Sequence, residues 1–347
     1  MSGIIRDFLG NAHAVETLEQ MIRQERISQT ILISGPEGVG KATLARRFAA
    51  ALLGDAEKIE RDDLSLAHNT AIVAEREKWP ADKRSEDPLL FASHPDFLTF
   101  APDGPLRQLS IQQMRLLKER AQFKPLQGPR RVFLIDQIDR ANEQAANSLL
   151  KTLEEPPEHL VIVMTATNAF DLLPTIRSRA VPFQLAPLGE EAMRAFIEAR
   201  GLDEPEKRLA LASGSPGLAI SLDLEAYEKR RTAMLALLEV AAGRAPFSTW
   251  LKYSEPIAQS KSEKLEHYLK VLYLLIEDLL LIEQGAGEAP PVRNRDIRPR
   301  LESLAAEVSF EWIQRAVRRV DEMTAMLRRN VQKSIALDAF ATGLRTP

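Results

Sequence analysis

The 347-residue sequence has no cysteine, which excludes disulfides and thiolate metal sites. It also lacks a large excess of either charge. A formal net charge of −3 argues against a generally basic nucleic-acid-binding surface and leaves room only for a local patch. Histidine is scarce, and His68 and His94 stand isolated, read as ordinary surface or loop residues. No apolar run is long enough to span a bilayer: the greasiest, Leu269 to Ile282, is interrupted by Glu277-Asp278. The opening MSGIIRDFLGNAHAV has no apolar core of signal-peptide length. A cytoplasmic protein without membrane contact is the expectation. With 45% hydrophobic and 27% charged residues, the composition is that of a soluble globular chain with room for two or three domains.

What is present is organised around Val132 to Pro157, VFLIDQIDRANEQAANSLLKTLEEPP. The apolar run Val132–Ile135 is too short for a helix and reads as a buried parallel strand. Asp136 follows where that strand ends, a carboxylate at the edge where ligands of open α/β sheets bind. Ala145, Leu149, Leu150 and Leu153 then recur at helical spacing until Pro156-Pro157 stops the helix. Upstream, the apolar run Thr30–Ser34 leads into Gly35-Pro36-Glu37-Gly38-Val39-Gly40-Lys41 and a helical pattern. Strand, glycine-rich turn, lysine and helix form a phosphate-cradling loop. Gly35, Gly38 and Gly40 let backbone N–H groups face an anion at a helix N-terminus, and Lys41 can reach terminal phosphates.

SLLKTLEEPP after an LID strand, with GPEGVGK upstream, resembles the bacterial replicative clamp-loader group of AAA+ proteins. The resemblance covers the N-terminal two-thirds, and the C-terminal third only in its helical character. It implies an α/β fold: an AAA+ P-loop parallel sheet with helices on both faces, then a small helical lid and an all-α C-terminal domain. The expected divisions are 1–186, with a charged insertion at about 54–94, then 187–225 and 226–347. The resemblance further implies that the segment around Phe8 packs beside an adenine, a helix that simply covers the sheet being an equal reading, and that Asn168 stands as the first sensor of a terminal phosphate. A helix cap or turn is an equal reading of Asn168. SRA at Ser178-Arg179-Ala180 resembles the group's Ser-Arg-Cys motif, in which the arginine reaches in trans into a neighbour's ATP site. Arg177 is read as a solvated arginine.

The departures are as telling as the matches. Ala42 stands where a hydroxyl should hold Mg²⁺; Thr43 comes one residue late, roughly 100° further round the helix. Gln137 replaces the glutamate that polarises the attacking water, and an amide is a negligible base. Gly217 and Leu218 occupy a second-sensor motif that needs an arginine, and the four-cysteine zinc module of many relatives is missing from 54–94. ATP with Mg²⁺ is therefore expected to bind weakly or not at all, in a degenerate site of Gly35, Gly38, Gly40, Lys41, Asp136 and Asn168, and zinc is not expected. The function implied is a non-hydrolysing loader subunit that completes the ring and donates Arg179 to a neighbouring ATPase. Its partners would be loader subunits of gamma/tau and delta type, and, through the assembly, the sliding clamp and primed DNA. The alternatives are a self-sufficient AAA+ ATPase, such as a loader motor or branch-migration helicase, and a small-molecule phosphotransferase.

Three shorter readings complete the chain. Pro95 to Ala101 is expected to be the second strand, Ile111 to Gln122 a helix, and Lys124 to Arg131 a solvent-exposed basic turn, with contact to a DNA backbone a minor option. Helices are expected over Tyr227–Ala242, Ser262–Gln284, Ser309–Val331 and Ser334–Leu344, with a loop over Gly285–Arg298. Leu265, Leu269, Leu272, Leu275, Ile276 and Leu279 form a bundle stripe, and the group's matching domain is a collar that holds the ring together. Arg318, Arg319, Arg328, Arg329 and Lys333 read as a solvated face.

Overall fold

A computed structural model describes residues 4–5, 8–260, 263–285, 292–326 and 332–344. They form two compact units, Met1–Arg200 with Ser213–Leu218, and Gly201–Ala212 with Ala219–Pro347. The stretch 187–225 is thus shared between the two.

The first unit holds a six-stranded sheet: β1 (Thr30–Ser34), β2 (Phe91–His94), β3 (Phe97–Phe100), β4 (Arg131–Ile135), β5 (Leu160–Ala166) and β6 (Val181–Gln184). Its order is β2-β3-β4-β5-β1-β6, parallel throughout except for the antiparallel β2–β3 pair. The helices are α1 (Ala12–Arg23), α2 (Lys41–Leu53), α3 (Ala56–Glu60), α4 (Ala67–Arg76), α5 (Ala81–Glu86), α6 (Ile111–Ala121), α7 (Glu143–Glu154), α8 (Pro174–Arg177) and α9 (Glu190–Ala199). Every residue of β1, β4 and β5 is buried, as strands covered on both faces must be. Alternate side chains divide between two cores. Leu32, Phe133, Ile135, Ile162 and Met164 pack with Met114 and Leu117 of α6 and Leu149 and Leu153 of α7. Ile31, Ile33, Val132, Leu134, Val161 and Val163 pack with Leu18 of α1 and Leu44 and Phe48 of α2. The carboxyl ends of β1, β4 and β5 therefore come together at one edge.

The 54–94 stretch is ordered rather than merely charged. Arg46, almost fully buried, donates to Glu60 at 2.9 Å and to Asp63 at 2.5 Å, tying α2 to the start of the insertion. The Trp79 ring lies within 4.5 Å of the Arg76 guanidinium and 3.6 Å of the Lys83 ammonium. Three sequence expectations need correction here. Residues 91–94 are an antiparallel edge strand, hidden in the sequence because four residues before a tight turn carry no period. His94 is not a surface residue: it is 1% exposed, and its Nδ1 accepts the Asp96 backbone N–H at 3.0 Å. Arg131 does not share the exposure of the basic turn. It is buried at the start of β4, donating to the Arg120 carbonyl at 2.7 Å, and burial pushes its pKa down.

In the second unit and at its border lie α10 (Pro205–Ala212), α11 (Pro216–Ser221), α12 (Leu224–Ala241), α13 (Phe247–Gln259), α14 (Leu265–Gln284), α15 (Arg298–Ala305), α16 (Phe310–Met326) and α17 (Lys333–Gly343). The stripe Leu265, Leu269, Leu272, Leu275, Ile276 and Leu279 is buried in one cluster with residues of α12, α13, α15, α16 and α17. The sequence reading missed α13 and α15: the first carries Pro256 inside it, and the second is only two turns long. Arg328, Arg329 and Pro290-Pro291 lie outside the described residues. No helix among the described residues is long and apolar enough to cross a membrane.

Candidate functional site: a phosphate loop and an arginine edge

The phosphate loop joins β1 to α2. Gly35, Gly38 and Gly40 have φ of 149°, 76° and 102°, which side-chain-bearing residues rarely adopt. Gly38 is also pressed by its surroundings. Its carbonyl accepts the Gly217 N–H at 2.8 Å, and an added Cβ would lie 2.6 Å from the Leu218 nitrogen. The residues of the second-sensor motif thus contribute backbone packing against the loop. Gly38→Ala is expected to cost about 1–3 kcal/mol, read as a thermal midpoint several degrees lower. At Gly40 an added Cβ would sit 3.0 Å from the Phe8 ring, which places Phe8 against the loop.

Lys41 opens α2, and its Nζ donates to the Gly35 and Pro36 carbonyls, both at 2.7 Å. Burial pushes its pKa below the ordinary value, while the carboxylates of Asp136, Asp139 and Glu37 act in the opposite sense. Asp136 is buried at the end of β4; its Oδ1 accepts the Thr165 hydroxyl at 2.6 Å. Thr165 in turn accepts the Gln137 backbone N–H at 2.8 Å, and the Gln137 side-chain amide donates to Asp136 at 3.4 Å. Gln137 sits in the left-handed region at φ 54°. Asp136 is thus held by hydroxyl and amide donors, and Lys41 by carbonyl oxygens of its own loop. These residues do not fit metal-assisted phosphoryl transfer: position 42 has no hydroxyl and position 137 no carboxylate.

Asn168 follows β5. Its Oδ1 accepts the Phe170 N–H at 3.0 Å and its Nδ2 donates to Asp171 at 3.3 Å, so both ends of the amide serve its own turn. Phe170 is 82% exposed, and the Arg177 guanidinium lies 5.1 Å from its ring centroid. Arg179 stands in the turn after α8. Its Nη1 donates to the Thr175 carbonyl at 2.8 Å and to Ser178 Oγ at 3.3 Å, and its Nη2 to Glu154 Oε1 at 2.7 Å. Its side chain remains about a third exposed. The structure therefore brings Gly35, Gly38, Gly40, Lys41 and Asp136 together, while Asn168 and Arg179 are engaged in contacts of their own. The sequence reading missed Thr165, Asp139 and Glu154. A hydroxyl at position 165 within an otherwise apolar strand was the one available signal for the first.

The model of the family described as "DNA polymerase III, delta subunit" matches residues 10–189. The chain is 32% identical over 209 residues to DNA polymerase III subunit delta' of Pseudomonas aeruginosa, covering 59% of this chain and 58% of that protein. It is 31% identical over 193 residues to the gamma/tau subunit of Mycobacterium bovis, covering 55% of this chain and 30% of that protein. The chain thus spans less than two thirds of the length of these relatives. Among solved structures it is similar to a gamma subunit-related protein of Thermotoga maritima, at 21% identity and a TM-score of 0.44, covering 94% of this chain and 98% of that one. With a family match over more than half its length, the chain belongs to the DNA polymerase III, delta subunit family, in the clamp-loader group of AAA+ proteins.

Proposed function

We propose that this chain is a delta-prime-type clamp-loader subunit that does not turn over ATP itself. It completes a ring of loader subunits and supplies Arg179 to the ATP site of a neighbouring gamma/tau-type ATPase. The observation that carries the reading is a contrast within one unit. Lys41 is bound to carbonyls of its own loop beside Ala42 and Gln137, whereas Arg179 keeps a partly exposed guanidinium on an SRA turn. A guanidinium offered to a transferring phosphate neutralises developing charge through a planar fork of donors and needs no base or metal of its own.

The reading extends to partners. Gamma/tau-type and delta-type subunits would be its neighbours, and the sliding clamp and primed DNA would be met through the assembly. The helical second unit would serve as the collar. ATP and Mg²⁺ would bind this chain weakly or not at all. The competing reading, a self-sufficient AAA+ ATPase, draws on the likeness to gamma/tau relatives, and Ala42 and Gln137 weigh against it.

Purified alone, the chain is expected to hydrolyse ATP no faster than the buffer control. The measurement is steady-state phosphate release with Lys41→Ala as a paired control; turnover that Lys41→Ala abolishes would return the chain to the motor class.

A further inference from the structure

We propose that Glu154 is a positioning residue for Arg179, an inference that rests on the trans-arginine reading above. Glu154 is the last residue of α7, whose end is enforced by Pro156-Pro157. An arginine offers five N–H donors. In Arg179, one Nη2 proton goes to Glu154, and two Nη1 protons go to the Thr175 carbonyl and the Ser178 hydroxyl. Among the described residues the Nε–H and the second Nη2 proton make no hydrogen bond and can be offered to phosphate oxygens.

The three contacts differ in what they fix. Thr175 and Ser178 belong to the same short turn as Arg179 and move with it. Glu154 comes from a different element, a helix packed on the sheet through Leu149 and Leu153 in the same core that holds Ile176 of α8, so it ties the guanidinium itself to a second part of that core. The Glu154 side chain is 49% exposed, in the class of ion pairs that add little to folding. Its removal is therefore read in rate rather than in stability, because a misplaced catalytic group costs up to about a hundredfold.

The test uses the assembly reconstituted with gamma/tau-type ATPase subunits, with ATP as the probe. Glu154→Ala is expected to lower kcat at the adjoining site about tenfold, with KM for ATP and assembly unchanged. Glu154→Gln, which keeps an oxygen acceptor for Nη2, is expected to restore most of the rate. In an Arg179→Ala background Glu154→Ala is expected to add nothing. An unchanged rate in Glu154→Ala overturns the inference, as does an equal fall in both backgrounds, which would route the effect around Arg179. If Arg179→Ala itself leaves the rate untouched, the trans-arginine reading fails and this inference falls with it. If Arg179→Ala is damaging and Glu154→Ala silent, only the positioning role is lost.

Discussion

Replacing Arg179 by alanine is expected to slow hydrolysis at the adjoining subunit's site by roughly three orders of magnitude, about 4 kcal/mol of lost transition-state stabilisation. The chain itself should still fold and join the ring. Among the described residues Arg179 belongs to no core cluster, its side chain is about a third exposed, and it pairs with a half-exposed carboxylate, Glu154. Surface pairs of this kind contribute at most about 1 kcal/mol to folding. Arg179→Lys should recover only a small part of the rate, since an ammonium keeps the charge but not the planar fork. Single-turnover hydrolysis in the reconstituted assembly, with sizing chromatography to follow incorporation, separates the two effects. A variant that is lost from the ring would show the residue acting in assembly instead.

The largest stability effect is expected from Trp250→Ala in α13. The Trp250 side chain is fully buried in the helical core of the second unit, and its indole N–H donates to Asp338 at 2.5 Å. Ser254 donates to the same carboxylate oxygen at 2.9 Å, so the variant leaves Asp338 with one of these two donors and a large cavity beside it. Emptying a site of that size costs about 3–5 kcal/mol. Urea unfolding should show the midpoint falling at nearly constant slope. Because the change lies in the second unit, an isolated fragment is not needed: loss of incorporation into the assembly should track the loss of stability.

The physics of each stretch explains how far the sequence alone could be read. The strands read at Thr30–Ser34, Val132–Ile135 and Leu160–Thr165 were legible because burial on both faces favours near-continuous apolar runs. The stripe of α14 was legible because its spacing repeats over about four turns. The edge strands Phe91–His94 and Val181–Gln184 were not, since four residues with mixed exposure carry too little pattern. Helix α13 was masked by Pro256, which lies inside it. In the site, glycine spacing announced the loop, but the contacts that hold it are long-range. Gly38 meets Gly217, Asp136 meets Thr165, and Arg179 meets Glu154 across 25 residues. Sequence spacing has no term for such meetings. The Asn168 turn shows the same limit: one residue type suits both a sensor and a cap, and only the geometry of its amide shows which bonds it makes here.

The most direct test crosses two variants in one assay: steady-state ATP hydrolysis by the reconstituted assembly containing native chain, Lys41→Ala or Arg179→Ala. The account predicts that Lys41→Ala leaves turnover unchanged and Arg179→Ala removes the contribution of the adjoining site. The reverse pattern, turnover lost with Lys41→Ala and kept with Arg179→Ala, would contradict it and make this chain an ATPase in its own right.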